Sequence, residues 1–281
     1  IIEKLCQRLI ALVTTAVLAR ILFPEDFGLF TLAMISVEVV GYAKSVGVDA
    51  ALVHNEGKME DLAPTAFWLV GGVNLFLFGL IFLLAPAIAF FFDNPSLTPL
   101  ARLLAFHFII NSFGRIPSAV LDKYMMFRQK AISEILGQVL HSVVTIGLAL
   151  KGFGVWSLVL GYLAQQSGIT AVMCYTCGWK PKCSFDTDVA KQLLSYGKFI
   201  VGTSITAFFA LKLDKIVIGQ MLGTEQLGFY AMAYNLATMI PIYAFFLMDR
   251  ILFPIYSLIQ KNEQQVKRYF LKSVRYVAVI S

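Results

Sequence analysis

Lys212, Asp214 and Lys215 interrupt a predominantly apolar stretch that runs from 198 to 222. On a helix Lys212 and Lys215, three apart, share a face with Ser204 and Gly219. Two like charges on one face repel unless something anionic lies between them, so the pair is a candidate anion site. The competing reading lets Asp214 neutralise one lysine while Lys215 snorkels to an interface. A second apolar stretch carries His107, Asn111 and Arg115 at intervals of four, with Ser118 one turn further. Such a face can hydrogen-bond hydroxyl groups or bind an anion through Arg115. Alternatively Arg115 anchors a helix end and His107 makes an interhelical hydrogen bond. Glu38 lies eleven residues from Phe27, with Gly41, Tyr42 and Ser45 around the same face. Burial favours the protonated form of a carboxyl, so Glu38 can bind and release a proton, or hold Na+. Otherwise it stays protonated or pairs with a neighbouring lysine. Glu38 and Asp214 are the candidate ion-coupling carboxylates. Gln7, Arg8, Thr14 and Thr15 occupy adjoining faces of the first apolar stretch, and Arg8 is a further cationic candidate.

The elements that must hold these residues are membrane spans. Hydrophobic residues make up 58% of the 281, charged residues 14%, and mean hydropathy is +0.76. A soluble domain carries roughly 45–50% apolar and about 25% charged residues. The apolar residues gather into runs near 5–23, 27–48, 64–92, 100–120, 132–150, 155–177, 198–222 and 227–249, and a ninth begins near 268. Each is about as long as the ~20 residues a helix needs to cross a bilayer. The run 64–92 exceeds one crossing, which predicts a bend at Pro86 or an interfacial segment over Ala87–Phe92. Strands of a barrel would alternate apolar and polar residues, and these runs do not. The expected fold class is an all-α polytopic membrane protein. Lys and Arg concentrate after the even-numbered spans, for example Arg115, Lys123, Arg128 and Lys130, whereas the other loops hold Arg20, Lys151 and, counted generously, Arg102. Basic loops stay in the cytoplasm, which places the amino end there. The formal charge of +6 is mainly this asymmetry. Scattered basic loops without a contiguous stripe argue against nucleic acid as a partner.

The chain also echoes itself at a spacing of 200 residues. Arg20–Met34 reads RILFPEDFGLFTLAM and Gln220–Tyr234 reads QMLGTEQLGFYAMAY, so Leu22, Glu25, Gly28 and Ala33 recur as Leu222, Glu225, Gly228 and Ala233. Both copies fall at a short polar break between two apolar runs. Pro24 suits the first position of a helix, and Glu25 and Asp26 suit its positive end. Gly223 can terminate one span and Thr224 can cap the next. Gly28 and Gly228 would let paired helices approach closely. The expected architecture is therefore two parallel six-helix repeats related by a pseudo-two-fold axis along the membrane normal. The domain boundaries are 1–177 for a six-helix lobe, 178–197 for a cytoplasmic linker and 198–281 for the opening of a second lobe. Beginning at Ile1 and stopping within an apolar segment, the chain is expected to be a piece of a longer protein. Asp49 and Asp249 match at the same offset and suggest scaffold. Glu38, Lys212, Lys215 and Arg8 align with Thr238, Leu12, Thr15 and Phe208, so the shared fold does not require their charges.

Several stretches then resemble one family. ARILFPEDFGLF (19–30), GFGVWSLV (152–159), WKP (179–181) and DKIVIGQMLGTEQLGFYAMAY (214–234) are similar to the polysaccharide transporter family of oligosaccharide flippases. That family belongs to the multidrug/oligosaccharidyl-lipid/polysaccharide (MOP) exporter superfamily, and the likeness runs over nearly the whole chain. The resemblance implies 12 to 14 spans in two lobes in the bacterial inner membrane. It also implies movement of undecaprenyl-pyrophosphate-linked oligosaccharide (O-antigen, capsule or exopolysaccharide units) to the outer leaflet by alternating access. A lipid-linked oligosaccharide and membrane lipids would be its partners, with H+ or Na+ as coupling ion, and a polysaccharide polymerase and chain-length proteins beside it. Lys212, Lys215, Arg115, His107, Asn111 and Arg8 would then form the headgroup cavity, and Lys212 with Lys215 a pyrophosphate site. A cation-coupled multidrug antiporter of the same fold is the alternative. A membrane polymerase or glycosyltransferase is expected to show a long extramembrane loop with catalytic residues, which the loops near 178–197 and 250–267 do not offer. No Walker A, nucleophile elbow or HExxH pattern is present, so no enzyme activity is expected. Cys174, Cys177 and Cys183 lack a nearby fourth ligand, so no metal or cofactor is expected either. Trp68, Trp156 and Trp179 fit interfacial belts.

Overall fold

The computed structural model describes residues 2–43, 59–178, 184–187, 206, 208–238, 267, 269–271 and 275. Among these residues the regular elements are α-helices: α1 (Ile2–Leu18), α2 (Pro24–Ala43), α3 (Met59–Phe91), α4 (Leu97–Lys123), α5 (Phe127–Leu150), α6 (Val155–Cys177), α7 (208–221) and α8 (Gly223–Ala237). Most of the ninth span and of 178–197, the side chain of Tyr42, and Ser45, Asp49, Ser204 and Asp249 lie outside the described residues. The chain divides into two compact units, Ile1–Phe229 and Tyr230–Ser281. In the second, the Tyr230 and Tyr234 rings lie 5.8 Å apart and the Thr238 hydroxyl donates to the Tyr234 carbonyl.

Helix limits follow local chemistry. α2 opens at Pro24, and the Phe23 amide donates to Asp26 Oδ2 at 3.1 Å, the backward half of a capping box. α1 closes at Leu18, earlier than the apolar run suggests, because Arg20 and Ile21 bond back only three residues and tighten the last turn. α6 begins after Gly154 (φ +51°) and ends at Gly178 (φ +63°), so its limits coincide with the apolar run 155–177. Gly178, in the left-handed region, returns its amide to the Cys174 carbonyl. Gly223, at φ +84°, separates α7 from α8.

Leu62–Phe91, Leu97–Lys123 and Phe127–Leu150 are each long and apolar enough to cross a membrane. Leu83, Phe90, Val143 and Leu150 are exposed on these helices, whereas their Asn74, Ser112, Ser133 and Thr145 are buried. An apolar exterior around polar interhelical contacts is the arrangement lipid demands. The protein is an all-α, multi-pass membrane protein.

α3 stays helical across all 33 residues, through Pro64 and Pro86. At 1.5 Å per residue it is about 50 Å long, well beyond a ~30 Å hydrocarbon core. An interior proline deprives the carbonyl four residues earlier of its partner. For Pro86 that carbonyl is Phe82, and Arg102 Nε of α4 donates to it at 3.2 Å while its guanidinium lies 4.6 Å from the Phe82 ring centroid. For Pro117 of α4 the carbonyl is Phe113, and the Cys174 thiol of α6 donates to it at 3.5 Å. Both orphaned carbonyls are thus satisfied by side chains of neighbouring helices, the condition for an interior proline in lipid.

α3 packs on α4, α5 on α6 and α1 on α5; α4 also meets α6, and α2 lies against α3, α4 and α6. Small residues set the closest approaches, with Gly114 against Thr170, Gly137 against Ile169 and Gly161 against Thr145. Leu62, Ala66, Val70, Ile116 and Ala119 fill the α3–α4 seam.

The two glycines of the repeated hairpin face each other. A Cβ at Gly28 would overlap the Thr224 carbonyl oxygen and sit 3.1 Å from the Gly228 nitrogen. A Cβ at Gly228 would overlap the Pro24 carbonyl oxygen and sit 3.2 Å from the Gly28 nitrogen. Pro24 and Thr224 are themselves 200 apart, so the contact is self-complementary, as a two-fold relation between repeats requires. The first turns of α2 and α8 cross backbone against backbone there.

Candidate functional site

One stripe of α7 turns inward: Phe208, Lys212, Lys215 and Gly219. Phe208 and Lys215 are buried, and the Gly219 position is closed by Leu32 of α2 and Leu227 of α8. Leu211, Leu213, Val217 and Met221 are exposed on the opposite face. The two lysines therefore share a face, as their spacing predicts. Lys215 is only 8% exposed, so its stem does not run along the outside of the helix to an interface.

Lys212 Nζ lies 2.7 Å from Glu38 Oε2. Glu38 belongs to the first sequence repeat and Lys212 to the second, and the repeat equivalents of both are uncharged. Their side chains are 31% and 21% exposed. Oε2 itself is buried, and the approach of Nζ does not align as a hydrogen bond. Lys215 lies within electrostatic reach of Lys212, Asp214 and Glu38, so four ionisable groups form one cluster.

The cluster extends through Tyr162 of α6. Its hydroxyl is within electrostatic reach of Glu38 and 3.3 Å from His107 Nδ1, and the two rings lie 5.5 Å apart. Glu38, His107 and Tyr162 stand 14, 10 and 7 residues into their helices. At 1.5 Å per residue, they lie about 10–21 Å along their helices from the starts, well inside each helix. Asn111 and Arg115 continue the His107 face by one and two turns, and all three are half-buried. Gly41 and Phe108 come together where α2 meets α4, beside this face. The interhelical hydrogen bond considered for His107 is therefore present, with Tyr162.

Arg8 is not brought to this cluster and occupies an exposed face of α1. The same helix contributes to a second polar seam. Lys4 pairs with Glu134 at 2.5 Å, and Gln7 Nε2 donates to the same Glu134 oxygen at 3.1 Å. Further along, Thr14 and Ser142 hydroxyls are 2.7 Å apart, and Gln165 donates to Gln138 at 2.9 Å. Glu25 and Glu225 are exposed.

Sequence reasoning missed Tyr162, Glu134, Gln138 and Gln165. The signal was present in GYLAQQSG (161–168), a run of polar and small residues inside a span. The Asn74 amide, which donates to Ser112 at 2.8 Å, gave only a lone polar residue in a long apolar run.

A multi-pass α-helical bundle whose charged groups meet between its helices defines the class. Its fold matches a solved chain described as the inward-facing conformation of a multidrug resistance MATE family transporter of the MOP superfamily. The TM-score is 0.68 at 18% identity, over 96% of this chain and 67% of that one, a likeness of fold. The chain belongs to the polysaccharide biosynthesis protein family, whose model matches residues 17–281. It is 27% identical over 242 residues to the teichuronic acid biosynthesis protein TuaB of Bacillus subtilis, covering 84% of this chain and 49% of the relative. It is 25% identical over 272 residues to the succinoglycan biosynthesis transport protein ExoT of Rhizobium meliloti, covering 95% and 54%. The chain spans about half the length of the curated relatives it matches.

Proposed function

We propose that the protein is part of a flippase that carries a lipid-linked oligosaccharide, bound through an undecaprenyl pyrophosphate, from the inner to the outer leaflet of a bacterial inner membrane. The observation that carries this reading is the cluster of Lys212, Lys215, Glu38 and Asp214 between the helices, continued by Tyr162, His107, Asn111 and Arg115. A pyrophosphate cannot enter hydrocarbon without a large desolvation penalty. Inward lysines offset it, and the half-buried His107 and Asn111 offer hydrogen bonds to saccharide hydroxyls. Family membership and a relative named as a transport protein support the same direction. The reading carries no chemical step and no cofactor.

Glu38 and Asp214 are proposed as ion-coupling groups for H+ or Na+. The amino end is proposed to be cytoplasmic, with residues 1–177 as one lobe, 178–197 as a cytoplasmic linker and 198–281 opening the second lobe. A polymerase and chain-length proteins are proposed as functional neighbours. The fold likeness to a multidrug transporter, together with a membrane carboxylate, favours a cation-coupled antiporter as the second reading. The test is polysaccharide export in cells expressing Lys212→Gln and Arg115→Gln at normal membrane levels. Loss of export in both is expected, and full export in both would overturn the flippase reading. Unchanged transport by Glu38→Gln across H+ and Na+ gradients would remove the ion-coupling role.

A further inference from the structure

The 2.7 Å contact joins a residue suited to anions with one suited to protons, and neither can perform its own task while it holds the other. A buried ion pair is a stable structural element when further hydrogen bonds satisfy its charges. Here the buried Oε2 has no aligned hydrogen bond, and among the described residues Lys212 is the one cation in direct ion-pair contact with it. The pair also joins the two sequence repeats and is encoded in neither repeat's counterpart, so the shared fold does not call for it.

We infer that Lys212–Glu38 is an exchange site that binds an anionic phosphate headgroup and a proton together: the anion takes Lys212, and the released Glu38 carboxylate accepts one proton at Oε2. The inference rests on the anion-site reading above. Charge balance argues for it. Before exchange the pair is neutral; afterwards one anionic charge is held by Lys212 and Glu38 is a neutral acid. For the one negative charge that Lys212 holds, one proton enters, so the net charge at the pair does not change; the further charge of a pyrophosphate falls to Lys215, on the same face. Anion binding without the proton would take from the Glu38 carboxylate its direct ion-pair partner and leave it only the more distant Lys215, which is unfavourable in the membrane interior. The titratable groups around Glu38 are Lys212 and Lys215 from α7 and Tyr162 from α6, with Asp214 of α7 within reach of Lys215 and His107 of α4 behind Tyr162. α3, also packed on α2, carries no titratable residue from Leu62 to Phe91. Linkage is reciprocal, so lower pH tightens anion binding and bound anion raises proton occupancy. The coupling is therefore co-binding of anion and proton, opposite in sign to competition between them.

The experiment measures affinity of the purified protein in neutral detergent for farnesyl pyrophosphate between pH 5.5 and 8. Glu38→Gln mimics the protonated acid and frees Lys212, so it should bind at least about tenfold tighter at the high end, the release of one modest buried-pair coupling. Its affinity should also fall with pH less steeply than wild type, by about one proton, the ligand's own titration being common to both. Lys212→Met should weaken binding at least about tenfold, the loss of one charge-assisted contact. Glu38→Gln/Lys212→Met leaves no buried lone charge; it should bind as weakly as Lys212→Met while remaining folded. Weaker or unchanged binding in Glu38→Gln, with loss in Lys212→Met, overturns the exchange and leaves the anion site standing. Wild-type affinity in Lys212→Met and Lys215→Met overturns both.

Discussion

Adding one methyl group at Gly28 separates two accounts of the repeated hairpin. As an ordinary helix residue, Gly28→Ala would stabilise the protein by about 0.5–1 kcal/mol through helix propensity. In the structure the new Cβ overlaps the Thr224 carbonyl, main chain rather than a side chain able to swing away. Overpacking typically costs about 1–3 kcal/mol, and an unyielding backbone neighbour places this site in the upper part of that range. The net expectation is a loss of about 1–2 kcal/mol, or roughly 2–8 °C in melting temperature for a chain of this size. Gly228→Ala should lose a similar amount, because its Cβ meets Pro24 in the reciprocal way. The double variant should lose less than the two losses added, since helices already parted by one methyl leave room for the next. Gly72→Ala and Gly147→Ala, where a Cβ meets nothing within 4 Å, are the controls and should be neutral or stabilising. Thermal unfolding in a mild detergent reads all five. A rise or no change in melting temperature for Gly28→Ala and Gly228→Ala, matching the controls, would refute the close backbone crossing.

Three further perturbations test the interior. Arg102→Ala should destabilise by about 1.5–3 kcal/mol, the range for a charged hydrogen bond, and the loss should shrink in a Pro86→Ala background, where residue 86 regains an amide for the Phe82 carbonyl; equal losses in both backgrounds would count against the pairing. Either Glu38→Gln or Lys212→Met should lower stability, the lysine change by up to about 3–5 kcal/mol, with Glu38→Gln/Lys212→Met regaining part of that in a detergent unfolding cycle. Asn74→Ala should cost about 0.6–2 kcal/mol, the scale of interhelical hydrogen bonds in membranes, and little more should be lost when Ser112→Ala is added.

Helices were legible where a local residue ends them. Gly154 and Gly178 bracket α6 at the limits its apolar run implies, and Pro24 opens α2. The long run ending at Phe91 was legible as too long for one crossing, but the helix persists through Pro86 because Arg102, on another helix, supplies the missing donor. Nothing near Pro86 in the chain encodes that. The candidate site was legible as a set of residues and illegible as a set of pairs. Lys212 and Lys215 share a face because the helix period makes them do so. That Lys212 meets Glu38, 174 positions away, depends on how α7 lies against α2. Tyr162 was overlooked because a tyrosine in a span is unremarkable until His107 is found beside its hydroxyl.

By itself the sequence determined the class. The length and spacing of apolar runs, the charge asymmetry between loops and the 200-residue echo of Gly28 in Gly228 need no coordinates, because helix length, hydration and backbone sterics act locally. Tertiary structure decided which unshared charges meet. It placed the two hairpin glycines against each other, closed the gaps below Pro86 and Pro117 with side chains from neighbouring helices, and set Lys212 on Glu38. Each is a contact between helices distant in the chain, set by how their faces pack, and the residues of one helix carry no record of the face they will meet.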